Sequence, residues 1–319
     1  MNVMSSASRI VSLLPSSTEI LCALGLRDRL VGVSHECDYP ADVVGLPVLT
    51  EPKLNPQATS GVIEARIREL VQEGLSIYRI NTDVLKSLQP DLIITQDQCE
   101  VCAVPLHEVE DAVQCMLSPG VKVVSLNPQR LRDIWEDIRQ VANAAGQENT
   151  VEGLLKGLKR RLWQLEQKTR HLPRPKVACL EWLDPLIAAG NWVPELVSIA
   201  GGEYTLAEVG EHSTKLTWES LAKYQPDVII LMPCGFKIVQ TQAELPTFTA
   251  NPHWQALSAV QNHSVFIVDG NAYLNRSGPR IVDSVEILAE ILHPQECAGL
   301  APVGAYVRLE DARIAAVRS

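Results

Sequence analysis

The sequence lacks several features that would assign it to a common class of protein. Its 319 residues include 28 Lys and Arg against 38 Asp and Glu, a formal net charge of −10. This balance argues against a nucleic-acid partner, because phosphate neutralisation needs basic surface. No uncharged apolar run of about 18 residues occurs, so we expect no membrane span. Aromatic residues make up only 5% of the chain, so those that fall in loops are informative about binding.

The N-terminus lacks the pattern of an export signal. No Lys or Arg precedes Arg9, and the apolar stretch 10–14 ends at Pro15, whereas a signal peptide needs a basic start and roughly 7–15 apolar residues. We therefore expect a cytoplasmic protein, or a periplasmic one if the start of the chain is misassigned. The stretch 10–14 is predicted as a strand, and Ser16 with Glu19 as the capping box of the next helix.

Motifs of common enzymes are also missing. The sequence has no Gly-x-Gly-x-x-Gly after a strand, no Walker loop and no Gly-x-Ser-x-Gly elbow. We therefore predict that the chain is not an enzyme and requires no cofactor. Its eight cysteines, in a chain without an export signal, are more typical of free thiols or ligands than of disulfides.

An internal repeat is the main positive feature of the sequence. Residues 85–94 (LKSLQPDLII) and 221–230 (LAKYQPDVII) are identical at six of ten positions, with an offset of 136 residues (221 − 85). Each copy predicts a helix that ends before Pro, followed by a buried strand. A repeat of this length indicates two α/β lobes rather than a solenoid.

The order of the elements predicts two Rossmann-like α/β lobes with central parallel sheets, because apolar strands alternate with helices. Strands are expected at 10–14, 30–34, 91–95 and 121–125, and then at 176–181, 228–232 and 264–268. A leucine stripe that ends near His171 predicts one long rigid helix joining the lobes. The segment 60–80 resembles an insertion with its own amphipathic helix. The expected boundaries are 1–126 for the N-terminal lobe, 127–174 for a helical connector, 175–293 for the C-terminal lobe and 294–319 for a tail.

The loops that follow the predicted strands contain the candidate ligand-binding residues. Ligands of parallel sheets bind beyond the carboxyl ends of the strands, so we predict a ligand cleft between the lobes. Flat aromatic walls with a few polar groups suit a large, partly apolar small molecule. The alternative is that the same aromatic side chains pack the face of a lobe. They are Tyr39, Trp182, Trp192, Phe236 and Tyr273.

Four short motifs, in order along residues 9–293, make the chain resemble the cobalamin and iron–siderophore binding proteins of ABC importers. They are LPSSTE (14–19), GVS (32–34) leading into DYP (38–40), QPD (89–91) and SGPRI (277–281). The resemblance implies two lobes joined by one rigid helix, with a corrinoid or similar metal chelate as the ligand. Without an export signal, the chain is most similar to a cytoplasmic-looking cobalamin-binding subgroup.

The resemblance also assigns roles to single residues. Tyr39 and Tyr273 match positions where cobalamin binders place an aromatic ring against the corrin, and Trp182 lies near a third such position. From the chemistry of their own side chains, Asn271 and Arg276 are expected to meet amide or phosphate groups of the ligand. These assignments imply a small-molecule partner, with cobalamin or another metal chelate bound as ligand.

The same family docks its membrane permease through one acidic residue on each lobe. In this sequence those positions are Asp83 and Glu219, each seven residues before the repeated Pro. The resemblance therefore implies a possible ABC permease as partner. The alternative is that both are solvated acids on exposed helices, which are common.

Cysteines at predicted strand ends support a different hypothesis. A Cys-x-x-Cys pair can chelate a metal, but a closed zinc site needs four ligands, so other strand-end residues would have to complete it. The alternative function is thus a cytoplasmic cysteine-ligated metal or redox protein on the same scaffold. The thiols could also simply fill loop cores. The tentative metal ligands are Cys37, Cys99, Cys102 and Cys234, with His35 and Asp97 as further donors.

Overall fold

The structure is a computed structural model, and it describes residues 7–73, 75–97, 109–110, 113 and 120–310. The chain divides into two compact units. Unit 1 comprises Met1–Pro56, Ala65–Pro128 and Arg132–Leu158, and unit 2 comprises Gln57–Glu64, Gln129–Leu131 and Lys159–Ser319. Each unit has a parallel β-sheet core, which confirms the α/β fold class. A separate connector and tail, with the boundaries expected from the sequence, stay a prediction.

Unit 1 contains a parallel sheet of four strands in the order β2-β1-β5-β6. These strands lie within two residues of the predicted ones and are mostly buried, as expected for apolar runs in a covered sheet. A second, antiparallel sheet pairs β3 with β4, and the sequence analysis did not predict it. The strands are β1 (Ile10–Ser12), β2 (Leu30–Val33), β3 (Thr50–Pro52), β4 (Tyr78–Ile80), β5 (Leu92–Gln96) and β6 (Lys122–Leu126).

In the described part of residues 15–169, the helices with defined bounds are α1 (Pro15–Ala23), α2 (Ser60–Gln72), α3 (Thr82–Leu88), α4 (Leu131–Ala144) and α5 (Glu148–Thr169). The predicted capping box is wrong, because α1 begins at Pro15 with Leu14 as its N-cap and without a side-chain cap hydrogen bond. Proline fits the first helical position, where no intrahelical N–H bond is needed. Ser16 and Glu19 are buried inside the helix instead.

The long helix predicted from the leucine stripe is α5. It runs without interruption for 22 residues, about 33 Å at 1.5 Å per residue, and ends two residues before His171. The boundary between the two units falls within it, between Leu158 and Lys159. Its rigidity stays a prediction. None of the helices in the described part of the chain is long and apolar enough to cross a membrane.

Unit 2 contains a sheet of six strands in the order β12-β11-β10-β7-β8-β9. The three predicted strands β7 (Val177–Trp182), β10 (Val228–Leu231) and β11 (Val265–Val268) are parallel. Antiparallel strands extend both sides: β8 (Ile187–Ala188), β9 (Thr214–Lys215) and β12 (Tyr306–Arg308). The helices are α6 (Val193–Ile199), α7 (Trp218–Tyr224), α8 (Ile238–Phe248), α9 (Ser258–Gln261) and α10 (Ile281–Leu292).

The two copies of the repeat have the same local structure. The helices α3 and α7 end at Gln89 and Gln225, which have the left-handed φ values 43° and 50°. After the Pro, the carboxylates of Asp91 and Asp227 accept hydrogen bonds from backbone N–H groups at the start of each unit's first parallel strand. The repeated motif therefore ends a helix and anchors a sheet in each unit.

Candidate ligand-binding site

Three loops at the carboxyl ends of the parallel strands in unit 2 are joined by hydrogen bonds; we call them the unit 2 strand-end loops (residues 181–184, 232–237 and 269–276). The Cys234 N–H donates to Glu181 O at 3.1 Å, and the Asn271 N–H donates to Phe236 O at 3.0 Å. The side chain of Asn275 donates from Nδ2 to two carbonyl oxygens of these loops, both at 2.9 Å. The loops therefore form one connected surface.

Close backbone packing between two of these loops requires Gly270. A Cβ atom at this position would lie 2.1 Å from Pro233 O and 2.8 Å from Met232 O, far inside van der Waals contact. Only glycine allows such an approach of backbone to backbone. The loops after β10 and β11 thus depend on this glycine for their relative position.

Two of the predicted aromatic wall residues lie against each other. The ring centroids of Trp182 and Phe236 are 5.3 Å apart at 60°, a geometry typical of favourable aromatic pairs. Phe236 is only 2% exposed, whereas Trp182 is partly exposed. Among the described residues, no hydrogen-bond acceptor lies in reach of the buried Nε1 atom of Trp182.

The remaining predicted residues of unit 2 lie in or beside the third loop. Tyr273 is partly exposed, and the Arg280 guanidinium lies 5.3 Å from its ring centroid. Trp192 is 4% exposed, and its Nε1 donates to Leu274 O at 2.7 Å, so it supports the loop from inside. Asn271 is partly exposed, and Arg276 is 7% exposed.

An ionisable group also lies at the end of β7. Burial raises the pKa of the Glu181 carboxyl to about 7, although a hydrogen bond with Ser213 opposes the shift. A carboxyl with such a pKa at a strand end is a candidate functional group. Glu181 is not among the site residues predicted from the sequence, because no pattern in the sequence shows how strongly the fold desolvates this carboxyl group.

The loop after β2 in unit 1 contacts a cluster of hydroxyl groups. The Thr18 Oγ1 atom lies 2.8 Å from Ser12 Oγ and 3.1 Å from Cys37 Sγ. Cys37 is only 8% exposed, and its thiol belongs to this hydroxyl cluster. Tyr39, in the same loop, is 46% exposed. The predicted wall residue of unit 1 thus lies on the surface, where it is accessible.

His35 follows β2 and is held by the small sheet of β3 and β4. Its backbone N–H and its Nδ1 atom lie 3.0 and 2.7 Å from Thr50 Oγ1. Its ring lies 5.4 Å from the ring of Tyr78, whose hydroxyl donates to Glu36 Oε1 at 3.2 Å. Burial lowers the pKa of His35 despite the opposing charge of Glu51, which favours the neutral imidazole.

The predicted cysteine site stays a prediction. Cys99 and Cys102 lie outside the described residues, Cys37 belongs to unit 1 and Cys234 is exposed in unit 2. Among residues 7–73, 75–97, 109–110, 113 and 120–310, no three His, Cys, Asp or Glu side chains are grouped as metal ligands.

The two predicted docking acids occupy matched, exposed positions. Asp83 lies in the first turn of α3, and Glu219 lies in the first turn of α7. Hydrogen bonds from its own backbone and from Thr217, together with the nearby His253, hold the pKa of Glu219 below its usual value. Both helices have side-chain N-caps, so their first turns are well defined. The docking role itself stays a prediction.

Comparison with known proteins identifies the family. The model of the periplasmic binding protein family matches residues 10–272, which confirms the predicted resemblance. An uncharacterized ABC transporter substrate-binding lipoprotein of Bacillus subtilis is 26% identical over 293 residues, covering 90% of this chain and 80% of that protein. A vitamin B12-binding protein of Vibrio cholerae is 27% identical over 289 residues, covering 88% of this chain and 87% of that protein.

Solved structures give the same result for the fold. The periplasmic vitamin B12 binding protein of Vibrio cholerae superposes with a TM-score of 0.64 at 25% identity, covering 90% of this chain and 97% of that one. A periplasmic heme binding protein from Pseudomonas aeruginosa has a TM-score of 0.70 at 19% identity, covering 91% and 94%. These relatives are a lipoprotein or periplasmic proteins by name, and they give no support to the expected cytoplasmic location.

Proposed function

Because this chain belongs to the periplasmic binding protein family, we propose that it binds a corrinoid of cobalamin type, or a similar metal chelate, as the substrate-binding protein of an ABC importer. The family consists of non-enzymatic transport components, in agreement with the prediction that the chain is not an enzyme. Of the relatives described above, those from Vibrio cholerae and Pseudomonas aeruginosa are named for binding vitamin B12 and heme. A tetrapyrrole with a central metal is therefore the ligand class that we assign to this chain.

The surface of the unit 2 strand-end loops is the observation that supports this proposal most directly. The aromatic pair, the partly exposed amide of Asn271 and the guanidinium of Arg276 belong to one connected set of loops. Flat rings suit the faces of a large macrocycle, and amide and guanidinium groups suit its carboxylate, amide or phosphate substituents.

Within this proposal the predicted residues have separate roles. Tyr39, Trp182 and Tyr273 provide apolar walls, and the buried Phe236 supports the ring of Trp182. Asn271 and Arg276 meet polar groups at the ligand's edge, and Trp192 positions the third loop through its hydrogen bond to the Leu274 carbonyl group. The placement of all these residues around one predicted cleft is part of the proposal.

The alternative of a cysteine-ligated metal or redox protein is less favoured. The thiol of Cys37 is buried in a cluster of Ser and Thr hydroxyl groups, and Cys234 is exposed in the other unit. The relatives found by comparison are substrate-binding proteins. We therefore retain the chelate as the ligand and assign no metal ion of the protein's own.

Quenching of tryptophan fluorescence tests the ligand class. Cobalamin absorbs where tryptophan emits, so binding near Trp182 should quench its emission in a saturable way. The Trp182→Phe variant should lose most of this quenching, while the matched variant Trp163→Phe, on the exposed face of α5, should keep it. Saturable quenching by a ferric siderophore alone, without any by cobalamin, cobinamide or heme, would exclude the tetrapyrrole assignment.

Docking to a permease is the second part of the proposal. We assign this contact to Asp83 and Glu219, because both are exposed in matched first turns of α3 and α7. In cells whose cobalamin uptake depends on this protein, replacing both by Ala should reduce uptake by about tenfold or more, since lost interface charges cost roughly 2–5 kcal/mol. The affinity of the purified variant for cobalamin should not change, and Glu73→Ala serves as a surface-acid control.

A substrate-binding protein of an importer acts outside the cytoplasm, and the relatives named as lipoprotein and periplasmic proteins favour that location over the cytoplasmic one expected from the N-terminal sequence. Cell fractionation with an antibody against the chain distinguishes the two. Recovery in the periplasmic or membrane-associated fraction supports the importer role. Recovery only in the cytoplasm would restrict the proposal to intracellular storage or delivery of the ligand.

A further inference from the structure

The polar cluster that follows β2 fixes which nitrogen of one imidazole carries a proton. Thr50 Oγ1 has a single proton, which it donates to Ser34 Oγ at 3.1 Å. The same oxygen lies 2.7 Å from His35 Nδ1. Since its own proton is already donated, Thr50 Oγ1 accepts from Nδ1, and Nδ1 therefore carries the ring proton. The other ring nitrogen, Nε2, is left with a lone pair.

No partner competes for this lone pair in the part of the chain that the structure describes, where the polar contacts of His35 are both with Thr50. The acids beside the ring are engaged elsewhere: Glu36 accepts a hydrogen bond from Tyr78, and Glu51 is paired with Arg79. His35 itself is only partly buried. Its Nε2 atom is thus a lone-pair donor with access to solvent.

The orientation of the ring is fixed from two sides. Thr50 and Tyr78 belong to the paired strands β3 and β4, in which Thr50 faces Ile80 and Pro52 faces Tyr78. Thr50 holds Nδ1, and the ring of Tyr78 packs against the imidazole at 44°. Metal-ligating histidines typically donate their second N–H to a protein oxygen, which fixes both tautomer and direction. His35 has this arrangement.

The position of His35 also suits a ligand. Its neighbour Ser34 donates a backbone hydrogen bond to Ser12 O at 2.9 Å, so His35 lies where the carboxyl ends of β1 and β2 meet. In open parallel sheets, ligands bind outside these strand ends. Tyr39, a wall residue in the proposed function, lies four residues further along the same loop.

We propose that His35 Nε2 is an axial ligand to the metal of the bound chelate. The chain would then select corrinoids or porphyrins, whose metal has an exchangeable axial position, over siderophores, whose own donors fill the coordination sphere. In the binding step, the lone pair of Nε2 replaces an axial water, which leaves to solvent. The metal keeps its oxidation state, and the imidazole proton stays on Nδ1. This inference rests on the proposed function.

Electron paramagnetic resonance of bound cobinamide in its Co(II) form tests the inference on the full chain. An axial nitrogen splits the cobalt signal into a triplet, whereas axial water does not. Wild-type protein should show the triplet. The His35→Ala variant should lose the triplet, and its dissociation constant for cobinamide should rise by about tenfold or more. Added imidazole should restore the triplet. The matched variant His212→Ala, at an exposed histidine of unit 2, should behave as wild type.

A second measurement tests the tautomer, and its decisive arm uses the wild-type protein. Nitrogen-15 NMR of wild-type protein without ligand should show His35 protonated on Nδ1. Thr50→Val, which removes the accepting oxygen at nearly constant volume, should reduce this preference. It should also weaken cobinamide binding by about tenfold, the usual effect of losing a partner behind a ligating histidine. A wild-type His35 protonated on Nε2 would overturn the inference.

The outcomes separate this inference from the proposed function. Tight cobinamide binding without a nitrogen triplet overturns the coordination by His35 and leaves the substrate-binding role intact. Tighter binding of a ferric siderophore than of cobinamide or ferric heme overturns the selectivity. Folded protein that binds none of these chelates removes the proposed function and the inference together.

Discussion

The two units contain the same repeated motif but differ in the chemistry of their strand ends. Both copies end a helix in a left-handed glutamine and anchor the first strand through an aspartate. Among the described residues, the loop after β2 in unit 1 combines hydroxyl groups, a thiol and an imidazole with single tyrosine rings, whereas the unit 2 strand-end loops combine a tryptophan–phenylalanine pair with amides. The scaffold is therefore repeated, while the side chains at the strand ends are not.

Each unit contains a desolvated carboxyl group, and replacing such a group should give the largest change in stability. Burial and the neighbouring Asp133 raise the pKa of Asp137 in α4 to about 7. Because this folded-state pKa lies above the unfolded value, the stabilisation is fully present below about pH 4 and is lost as the pH rises through 7. Asp137→Asn should therefore raise stability at pH 8 by about 1–4 kcal/mol and change it little at pH 4.

Urea unfolding at pH 4, 6 and 8 measures this effect, with the exposed neighbour Glu136→Gln as control. Glu181→Gln in unit 2 should show the same sign, because burial also raises the pKa of Glu181 to about 7. If one substitution raised stability at pH 8 and the other lowered it, the two carboxyl groups would not be in equivalent environments. Equal stability of Asp137→Asn and wild type at pH 8 would show that the carboxyl is not desolvated.

The aspartates of the two repeated motifs, Asp91 and Asp227, should contribute differently to stability. Asp91 accepts from the Ser8 N–H, the Ser8 hydroxyl and the Arg9 N–H, whereas the one hydrogen bond described for the Asp227 carboxylate comes from the Lys176 N–H. We expect Asp91→Ala to lower the free energy of unfolding by about 2–3 kcal/mol and Asp227→Ala by about 1 kcal/mol.

Thermal unfolding of the two single variants shows which aspartate contributes more to the stability of the fold. Although partial burial opposes it, hydrogen bonds from Ser8 and Arg9 hold the pKa of Asp91 below its usual value. Its stabilisation is therefore present above about pH 4 and is lost as the pH falls, so the two variants should converge in acid. A larger loss for Asp227→Ala at pH 7 would contradict the account of the anchors.

Substitution of the two glutamines with left-handed φ values is expected to change the free energy of unfolding least, and with opposite signs in the two units. Gln89 and Gln225 both have a φ value that glycine adopts without strain. Gln225 also hydrogen-bonds Ala256 O and the Ser258 N–H through its side chain. Gln89→Gly should stabilise the protein by about 0.5 kcal/mol, whereas Gln225→Gly should destabilise it by about 1 kcal/mol. Opposite signs in urea unfolding are the expected result, and equal signs would contradict it.

Most of the fold could be predicted from the sequence, because buried parallel strands and amphipathic helices have strong hydrophobic patterns. The strands that were missed, such as β3, β4 and β12, are two or three residues long and are held by pairing rather than by local propensity. The contacts of His35 were missed for the same reason, since β3 and β4 bring Thr50 and Tyr78 to it. The burial of Glu181 and Trp192 likewise depends on packing that no local pattern encodes.

Titration calorimetry of the folded full-length protein with cobinamide, cobalamin, ferric heme and a ferric siderophore tests the central claim most directly. The account predicts saturable binding of one tetrapyrrole chelate per chain and weaker binding of the siderophore. It also predicts that Tyr273→Ala and Trp182→Ala weaken this binding, whereas the exposed Val239→Ala does not. An absence of binding heat with all four ligands, from protein shown to be folded, would contradict the claim.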